Sequence, residues 1–197
     1  TGMATTGRGG PRFPGRSAAI LAGGKSSRMG RNKALIEIGS GSILRRTAEL
    51  VRPLVDELFI VADDPSPYLD LGLPVIPDHH RGCGAAGGIH AALRHAAHPL
   101  VLCVACDMPH LEAAVLELLL GAADPSDNAL LPWIDGRPEP LLAVYGRGAI
   151  PGFERAIAAR RLRVLDALEG VRVRFVDESA LAAAQLEETA HRISERN

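Results

Sequence analysis

The chain is poor in aromatic residues, which limits how its core can be built. Only 4% of its 197 residues are aromatic, whereas 47% are apolar, so the core must consist mainly of Ala, Leu, Val and Ile. Side chains of this kind typically fill the space between a buried parallel sheet and its covering helices. The composition therefore favours a layered α/β domain over an all-β sandwich.

The chain also lacks a charge excess of either sign. Its 22 Lys and Arg residues balance 23 Asp and Glu residues, so no overall basic field attracts nucleic acid or a membrane surface, and any anion site must be local. The longest apolar stretches, such as residues 99–105, are far shorter than the roughly 20 residues that cross a bilayer, and no signal-peptide pattern opens the chain. We expect a cytoplasmic protein that binds neither nucleic acid nor membrane.

Cysteine is scarce and odd in number, which argues against a disulfide framework. Cys103 and Cys106 have redox-motif spacing, but strand residues three apart point to opposite faces. With Cys83 the only other cysteine, no second pair exists for zinc. The three thiols are expected to be core residues.

Apolar runs of strand type alternate with helical runs along most of the chain. Residues 1–16 are rich in Gly, Pro and Arg and are expected to form a flexible extension, with residues 17–197 as a single domain. The alternation predicts a doubly wound, mostly parallel sheet in a three-layer α/β/α arrangement. The expected strands are residues 18–21, 58–62, 100–105, 129–133, 140–145 and 171–176, and the expected helices are 42–51, 88–97, 111–120, 150–159 and one from Glu187.

A glycine-rich loop follows the first expected strand and reads LAGGKSSRMGRNK over residues 21–33. The adjacent Gly23 and Gly24 allow backbone N–H groups to approach a triphosphate, and Arg28 and Lys33 supply charge that neutralises phosphate oxygens. A Walker A motif is disfavoured because Ala19 stands where that motif requires glycine. The loop therefore predicts a site for an anion.

A second glycine pattern, at residues 82–87, fits the G-x-G-x-x-G dinucleotide fingerprint. That fingerprint expects a strand leading directly into its first glycine. Here residues 77–81 intervene after Val75 and Ile76, so a dinucleotide site is disfavoured. His79 and His80 lack metal-ligand spacing and are expected to face solvent.

Asp107 follows the apolar strand 100–105, where an open α/β sheet forms its binding crevice. Mg²⁺ prefers one or two carboxylates together with substrate phosphates, so Asp107 is a suitable metal ligand. The alternative is that Asp107 caps the following helix, although His110 is nearer to it.

Four blocks together resemble one family, the MobA-like nucleotidyltransferases. They are L-A-G-G-x-S-x-R-M-G-x-x-K, then residues 82–93 (GCGAAGGIHAAL), 105–111 (ACDMPHL) and 136–145 (GRPEPLLAVY), and the likeness runs from about Ser17 to Val176. The resemblance implies a Rossmann-like nucleotidyltransferase fold. It also implies Mg²⁺-dependent transfer of GMP from GTP to the terminal phosphate of molybdopterin, with release of pyrophosphate.

The family pattern also implies roles for individual residues. Leu21, Ala22 and Gly23 would hold GTP through backbone groups, in the same loop as Gly24. Lys33 would contact the phosphates with help from Arg28, and the catalytic set would be Arg28, Lys33 and Asp107. Asp78 matches a GTP-contacting aspartate, although a turn residue after Pro77 is an equally good interpretation.

The acceptor half matches less well. Arg137, Glu139, Pro140 and Tyr145 lie in the block that is near the acceptor in relatives, and Arg160, Arg161 and Arg163 form a second basic cluster that suits either a phosphate or a solvated helix end. Asn32 and Leu142 stand where relatives often have Asp and His. The late Asn-x-Asn-Thr-Pro element of relatives is absent, because residues 181–188 read LAAAQLEE.

This mismatch leaves alternatives open. The chain suits a related cytidylyltransferase, a nucleotidyltransferase with another phosphorylated acceptor, or a nucleotide-binding regulatory protein that has lost catalysis. If the molybdopterin assignment holds, other proteins of molybdenum cofactor biosynthesis and apo-molybdoenzymes are the expected protein partners.

Overall fold

The computed structural model of the chain describes residues 12–22, 37–38, 41–108 and 110–194. Its strands are β1 (Arg16–Leu21), β2 (Glu37–Ile38), β3 (Gly41–Ser42), β4 (Glu57–Val61), β5 (Val75–Ile76), β6 (Leu100–Ala105), β7 (Ala129–Ile134), β8 (Arg137–Pro138), β9 (Leu142–Gly146) and β10 (Val173–Val176). Its helices are α1 (Ile43–Val51), α2 (Gly84–His95), α3 (Ala113–Ala122), α4 (Ile150–Ala158), α5 (Val164–Ala167) and α6 (Glu178–Ser194).

The main sheet has the strand order β10-β7-β9-β6-β1-β4-β5. Strands β5, β4, β1 and β6 pair in parallel, β9 runs antiparallel between β6 and β7, and β10 is parallel to β7. Every one of these strands except β9 therefore ends at the same border of the sheet, here called the carboxyl edge. The predicted mostly parallel, doubly wound sheet is confirmed.

Helices cover both faces of this sheet. On one face α2, α4 and α5 pack around Phe59, Ile89 and Phe153. On the other face α1, α3 and α6 pack on alternate strand residues such as Ile20 and Leu102. Because successive strand side chains point to opposite faces, apolar runs such as β6 are buried on both sides. The predicted three-layer arrangement is confirmed.

The last helix begins well before its predicted start at Glu187. Asp177 caps it, because its carboxylate accepts hydrogen bonds from the Ala180 N–H (2.9 Å) and the Ser179 hydroxyl (2.6 Å). Helix α6 therefore starts at Glu178 and buries Leu181. Residues 181–188, where the family's asparagine element was expected, lie inside this helix.

The boundary predicted at residue 16 is too far along the chain. Residues 12–16 belong with the sheet: the Phe13 N–H donates to the Leu54 carbonyl (2.9 Å), Arg12 pairs with Glu117 (2.6 Å), and Arg16 is the first residue of β1. The ring of Phe13 packs against α3, although no periodic apolar pattern in this segment predicts that it is buried. Residues 1–11 lie outside the described residues.

Two of the three cysteines, Cys83 and Cys103, are core residues as predicted, whereas Cys106 packs at the edge of the core. Cys83 and Cys103 are buried, Cys106 is half-buried, and all three are free thiols. Cys103 packs on the α2 face and Cys106 on the α1 face, so the two cannot pair. Burial raises the pKa of Cys106 to about 11, which keeps its thiol neutral. Among the described residues, no helix is both long enough and apolar enough to cross a membrane.

Candidate active site

The carboxyl edge brings Leu21, the first residue of the glycine loop, close to Asp107. Strands β1 and β6 are neighbours, with Leu21 paired with Ala105, and the Cys106 N–H donates to the Leu21 carbonyl at 3.1 Å. Asp107 therefore directly follows Cys106, the residue that is hydrogen bonded to the start of the loop. Sequence adjacency could not supply this, since 86 positions separate Leu21 from Asp107.

The backbone at the start of the loop is anchored on its other side as well. The Ala22 N–H donates to the Val61 carbonyl (3.0 Å), and the Tyr68 hydroxyl donates to the Ala22 carbonyl (3.3 Å). These bonds fix the direction in which the chain leaves the sheet. Gly23, Gly24, Arg28 and Lys33, the remaining predicted residues of this loop, lie outside the described residues.

Asp107 is exposed at the carboxyl edge. Within the described part of the chain its carboxylate accepts no hydrogen bond, and the residue that precedes α3 is Glu112. The alternative in which Asp107 caps this helix is therefore wrong. Over the same residues, no three His, Cys, Asp or Glu side chains form a metal cluster. A single free carboxylate is a donor set that suits Mg²⁺ shared with phosphate oxygens.

Asp78 lies at the same edge, two residues beyond the end of β5. Its carboxylate accepts the His80 N–H (2.8 Å), which confirms the interpretation of Asp78 as a turn residue. Burial raises the pKa of Asp78, and the nearby Asp63 adds to the rise. The same carboxylate packs against Gly87, where a Cβ atom would stand only 2.5 Å from its Oδ2.

The second glycine pattern thus serves the turn that holds Asp78. Strand β5 ends at Ile76, well before Gly82, so the strand-to-glycine connection of a dinucleotide fingerprint is absent, as the sequence indicated. His79 is exposed as predicted. His80 is half-buried instead, because its ring makes an edge contact with the ring of His90 (centroids 4.8 Å apart). Burial lowers the pKa of His90, which favours its neutral form.

A cleft of about 490 Å³ opens beside Asp107. It lies between the segment that follows β6, the first turn of α3, the β7–β8 hairpin and the start of α6. Its apolar lining includes Leu111, Val115, Leu142 and Leu181, and its carboxylates are Asp107, Glu112, Asp135 and Glu178. Asp107 thus lines the cleft and also follows the strand end that is paired with Leu21, the start of the glycine loop.

The residues predicted for the acceptor half do not line the cleft. Tyr145 is fully buried, its hydroxyl donates to the Pro140 carbonyl (2.7 Å), and burial raises its pKa well above the ordinary value. The Glu139 carboxylate accepts the Leu141 N–H (2.9 Å), and Arg137 is exposed on β8. These side chains shape the hairpin and the core.

The three arginines of the basic cluster also lie away from the cleft. Arg161 forms an ion pair with Glu169 (2.5 Å), and Asp166 lies 3.7 Å from the same guanidinium. Arg160 ends the turn after α4 with a left-handed backbone (φ 57°), and Arg163 precedes α5. The helix-end interpretation of these arginines is the one that the contacts support, and none of the three lines the cleft.

Sequence reasoning missed the acidic residues of the cleft, Glu112 and Glu178. Glu178 follows Asp177, and an Asp before Glu-Ser-Ala is a recognisable helix start that would have moved α6 forward. Glu112 had a weaker signal, since a Glu just before a helical run is common. Their convergence on Asp107 depends on the packing of α3 against α6.

Comparison with known proteins gives consistent similarities. The family model described as the MobA-like NTP transferase domain matches residues 18–173. A probable molybdenum cofactor guanylyltransferase of Pelotomaculum thermopropionicum is 38% identical over 85% of this chain and 81% of its own length. A molybdenum cofactor guanylyltransferase of Desulfosudis oleivorans is 33% identical over 83% of this chain and 82% of its own. The crystal structure of molybdopterin-guanine dinucleotide biosynthesis protein A from Archaeoglobus fulgidus superposes with a TM-score of 0.73 at 31% identity, covering 87% of this chain and 88% of that one.

Proposed function

Since this chain belongs to the MobA-like NTP transferase domain family, we propose that it transfers GMP from GTP to the phosphate of molybdopterin. Relatives named as molybdenum cofactor guanylyltransferases support the guanylyl donor and the molybdenum cofactor as product. The single structural observation that supports the proposal is the bond from the Cys106 N–H to the Leu21 carbonyl, which holds the first residue of the glycine loop close to Asp107. GTP is available in the cytoplasm, where we place the reaction.

In this proposal the loop after β1 holds the triphosphate. The carbonyl of Leu21 and both backbone groups of Ala22 are already hydrogen bonded, so these two residues direct the loop. Gly23 and Gly24 then present backbone N–H groups to phosphate oxygens, and Arg28 and Lys33 neutralise them. Asp78, at the same edge, would contact the nucleoside part of GTP.

Asp107 would hold Mg²⁺ together with the phosphate oxygens of GTP. When bound, the ion supplies positive charge to the phosphates during transfer. Burial raises the pKa of the neighbouring Cys106 thiol to about 11, so this half-buried thiol is neutral near pH 7 in the metal-free protein.

For this reaction the chain mainly has to position the acceptor phosphate and GTP. An oxygen of the acceptor phosphate attacks the α-phosphorus of GTP, a new O–P bond forms, and the bond to the pyrophosphate oxygen breaks so that pyrophosphate leaves with its electron pair. A phosphate acceptor is already ionised at neutral pH, so no side chain is needed as general base. Arg28 and Lys33 would neutralise the negative charge of the phosphates, and Asp107 would do so through Mg²⁺. The loop after β1 and the end of β6 would hold the reacting groups in line.

The nucleotide preference can be tested by thermal unfolding. With Mg²⁺ present and ligand at about 100 times its Kd, binding only to the folded state adds about 2.7 kcal/mol, which raises Tm by roughly 5–10 °C for a chain of this size. We expect this shift with GTP and a clearly smaller one with CTP or ATP. An equal shift with CTP would assign the chain to the cytidylyl alternative, and GTP binding without pyrophosphate release in the presence of molybdopterin would favour a regulatory protein.

The contact between Gly87 and Asp78 yields a matched pair of variants. In Gly87→Ala the new Cβ would collide with the Asp78 carboxylate, whereas in Gly88→Ala the nearest atom, Leu21 Cδ2, is 3.5 Å away. Both changes favour the helix by about 1 kcal/mol, so they differ mainly in the position of Asp78. We expect Gly87→Ala to raise the KM for GTP roughly 10-fold, the loss of about one charge-assisted hydrogen bond.

Steady-state kinetics with GTP varied would measure this difference. Gly88→Ala should keep the KM of the unsubstituted protein within about twofold. Equal KM values for the two variants would remove Asp78 from the nucleotide site.

A further inference from the structure

The cleft beside Asp107 is larger than a phosphate needs. Its volume of about 490 Å³ lies in the range that holds whole small molecules. Leu111, Val115 and Leu181 make part of its lining apolar, and Asp107 lines it at the carboxyl edge. If the proposed function holds, an acceptor with its phosphate beside Asp107 has this space available for the rest of its structure.

The charge of the cleft indicates which end of the acceptor enters it. Four carboxylates line it, those of Asp107, Glu112, Asp135 and Glu178, and no Lys or Arg among the described lining residues balances them. An acceptor phosphate placed among these carboxylates would be repelled by their like charge. A flat, uncharged ring that carries N–H donors suits both the apolar lining and the carboxylates.

The four carboxylates are not equally available to accept hydrogen bonds from a bound ligand. Glu178 Oε1 accepts the Gly136 N–H (2.7 Å) and so ties the β7–β8 hairpin to α6. Asp135 occupies the hairpin turn with a left-handed backbone (φ 51°), and Asp107 belongs to the phosphate end. Glu112 is half-buried, and its side chain accepts no hydrogen bond within the described residues.

We propose that the cleft binds the ring end of the acceptor and that Glu112 recognises it. The ring would be a pterin, whose 2-amino group and adjacent ring N–H form a cyclic guanidine-like edge. A carboxylate accepts two parallel hydrogen bonds from such an edge. The ring lies on the apolar lining of α3 and α6, and the phosphate arm extends toward Asp107. Glu112 is thereby a residue that determines acceptor specificity.

Trp133 provides the signal for a direct test. It is the single tryptophan of the chain, lines the cleft and is 38% exposed. Pterins absorb in the range of tryptophan emission, so binding of pterin should quench Trp133. The matched ligand is lumazine, which keeps the bicyclic ring and replaces the 2-amino group with a carbonyl oxygen. Equilibrium dialysis of both ligands would confirm the Kd values.

We expect pterin to bind the unsubstituted protein roughly 10-fold or more tightly than lumazine, since the carbonyl of lumazine faces a carboxylate. Glu112→Gln should bring the ratio of the two Kd values to within about twofold. Asp70→Asn, which removes an exposed carboxylate that pairs with Arg45, should leave the ratio unchanged.

Two results would overturn this assignment: equal or undetectable binding of pterin and lumazine, or a Glu112→Gln protein that keeps the full preference for pterin. The GTP-induced rise in Tm, measured on the same preparations, separates this inference from the proposed function. Retained pterin preference without a GTP response would contradict guanylyl transfer and support the ring site. A normal GTP response without pterin preference would contradict the ring site alone.

Discussion

Asp107→Asn is expected to lower guanylyl transfer roughly 1,000-fold, or about 4 kcal/mol of activation free energy. The amide keeps the shape of the side chain but removes the negative charge that would share Mg²⁺ with the phosphates of GTP. Because Asp107 is exposed and accepts no hydrogen bond within the described residues, the fold should tolerate the change. Pyrophosphate release with molybdopterin, GTP and Mg²⁺ is the measurement.

The control is Asp70→Asn, which makes the same change at an exposed carboxylate on the surface, paired with Arg45. Its rate should stay within about twofold of the unsubstituted protein, since exposed ion pairs contribute at most about 1 kcal/mol. Both variants should unfold at similar temperatures without nucleotide. A fully active Asp107→Asn protein would exclude Asp107 from the metal site and remove the main support for the proposed mechanism.

The largest expected loss of stability comes from Arg174→Met. Asp127 is only 3% exposed, and its carboxylate accepts hydrogen bonds from Arg174 Nε (2.6 Å) and from a terminal guanidinium nitrogen (2.5 Å). Methionine preserves most of the side-chain volume but leaves this buried charge without its cation. We expect a loss of about 3 kcal/mol in the free energy of unfolding, or roughly 6–12 °C in Tm.

This loss should depend on pH in a defined direction. The Arg174 hydrogen bonds lower the pKa of Asp127 below its ordinary value of 3.8. A carboxyl group with a lowered pKa in the folded state stabilises the protein above its unfolded pKa, and that stability is lost as pH falls through the folded value. In Arg174→Met the largest cause of this lowering is lost, so the pKa of Asp127 rises and protonation relieves the unpaired charge at a higher pH than in the unsubstituted protein. The difference between the two proteins should therefore be largest near neutral pH and shrink below about pH 4.

Urea unfolding at about pH 7 and about pH 3 would measure this difference, provided that both proteins unfold in two states. Arg172→Met is the matched control, because Arg172 is exposed and affects Asp127 only through longer-range charge. Its effect should stay within about 0.5 kcal/mol at either pH. A destabilisation of Arg174→Met that did not change with pH would show that lost packing, and not the ion pair, is responsible.

Part of the site was readable from the sequence because its signals are local. The apolar run of β6, with the same bounds in sequence and structure, and the acidic residue just beyond it follow from neighbouring residues alone. The double glycine after β1 is equally local. Once the sheet was expected to be parallel, both features had to lie at its carboxyl edge. The register of Leu21 with Ala105 confirms that the two strands end side by side at this edge.

Other features could not be predicted from the sequence because residues far apart in the chain form them. Tyr145 lies in the sequence block that was expected near the acceptor. In the structure, β9 inserts between β6 and β7, and Tyr145 is completely buried. The sequence assigns Phe13 to a flexible extension, whereas in the structure its ring packs against α3. Asp78 is an ordinary turn residue in sequence, and only the close approach of Gly87 shows how tightly its carboxylate is held.

The sequence by itself determined the layered α/β architecture, the loop suited to a triphosphate and the carboxylate at the strand end, because each depends on residues close together in the chain. The tertiary structure alone decided the cleft that Glu112 and Glu178 share with Asp107. Its walls come from segments about 70 positions apart, and side chains that distant acquire a common environment only when strands pair and helices pack.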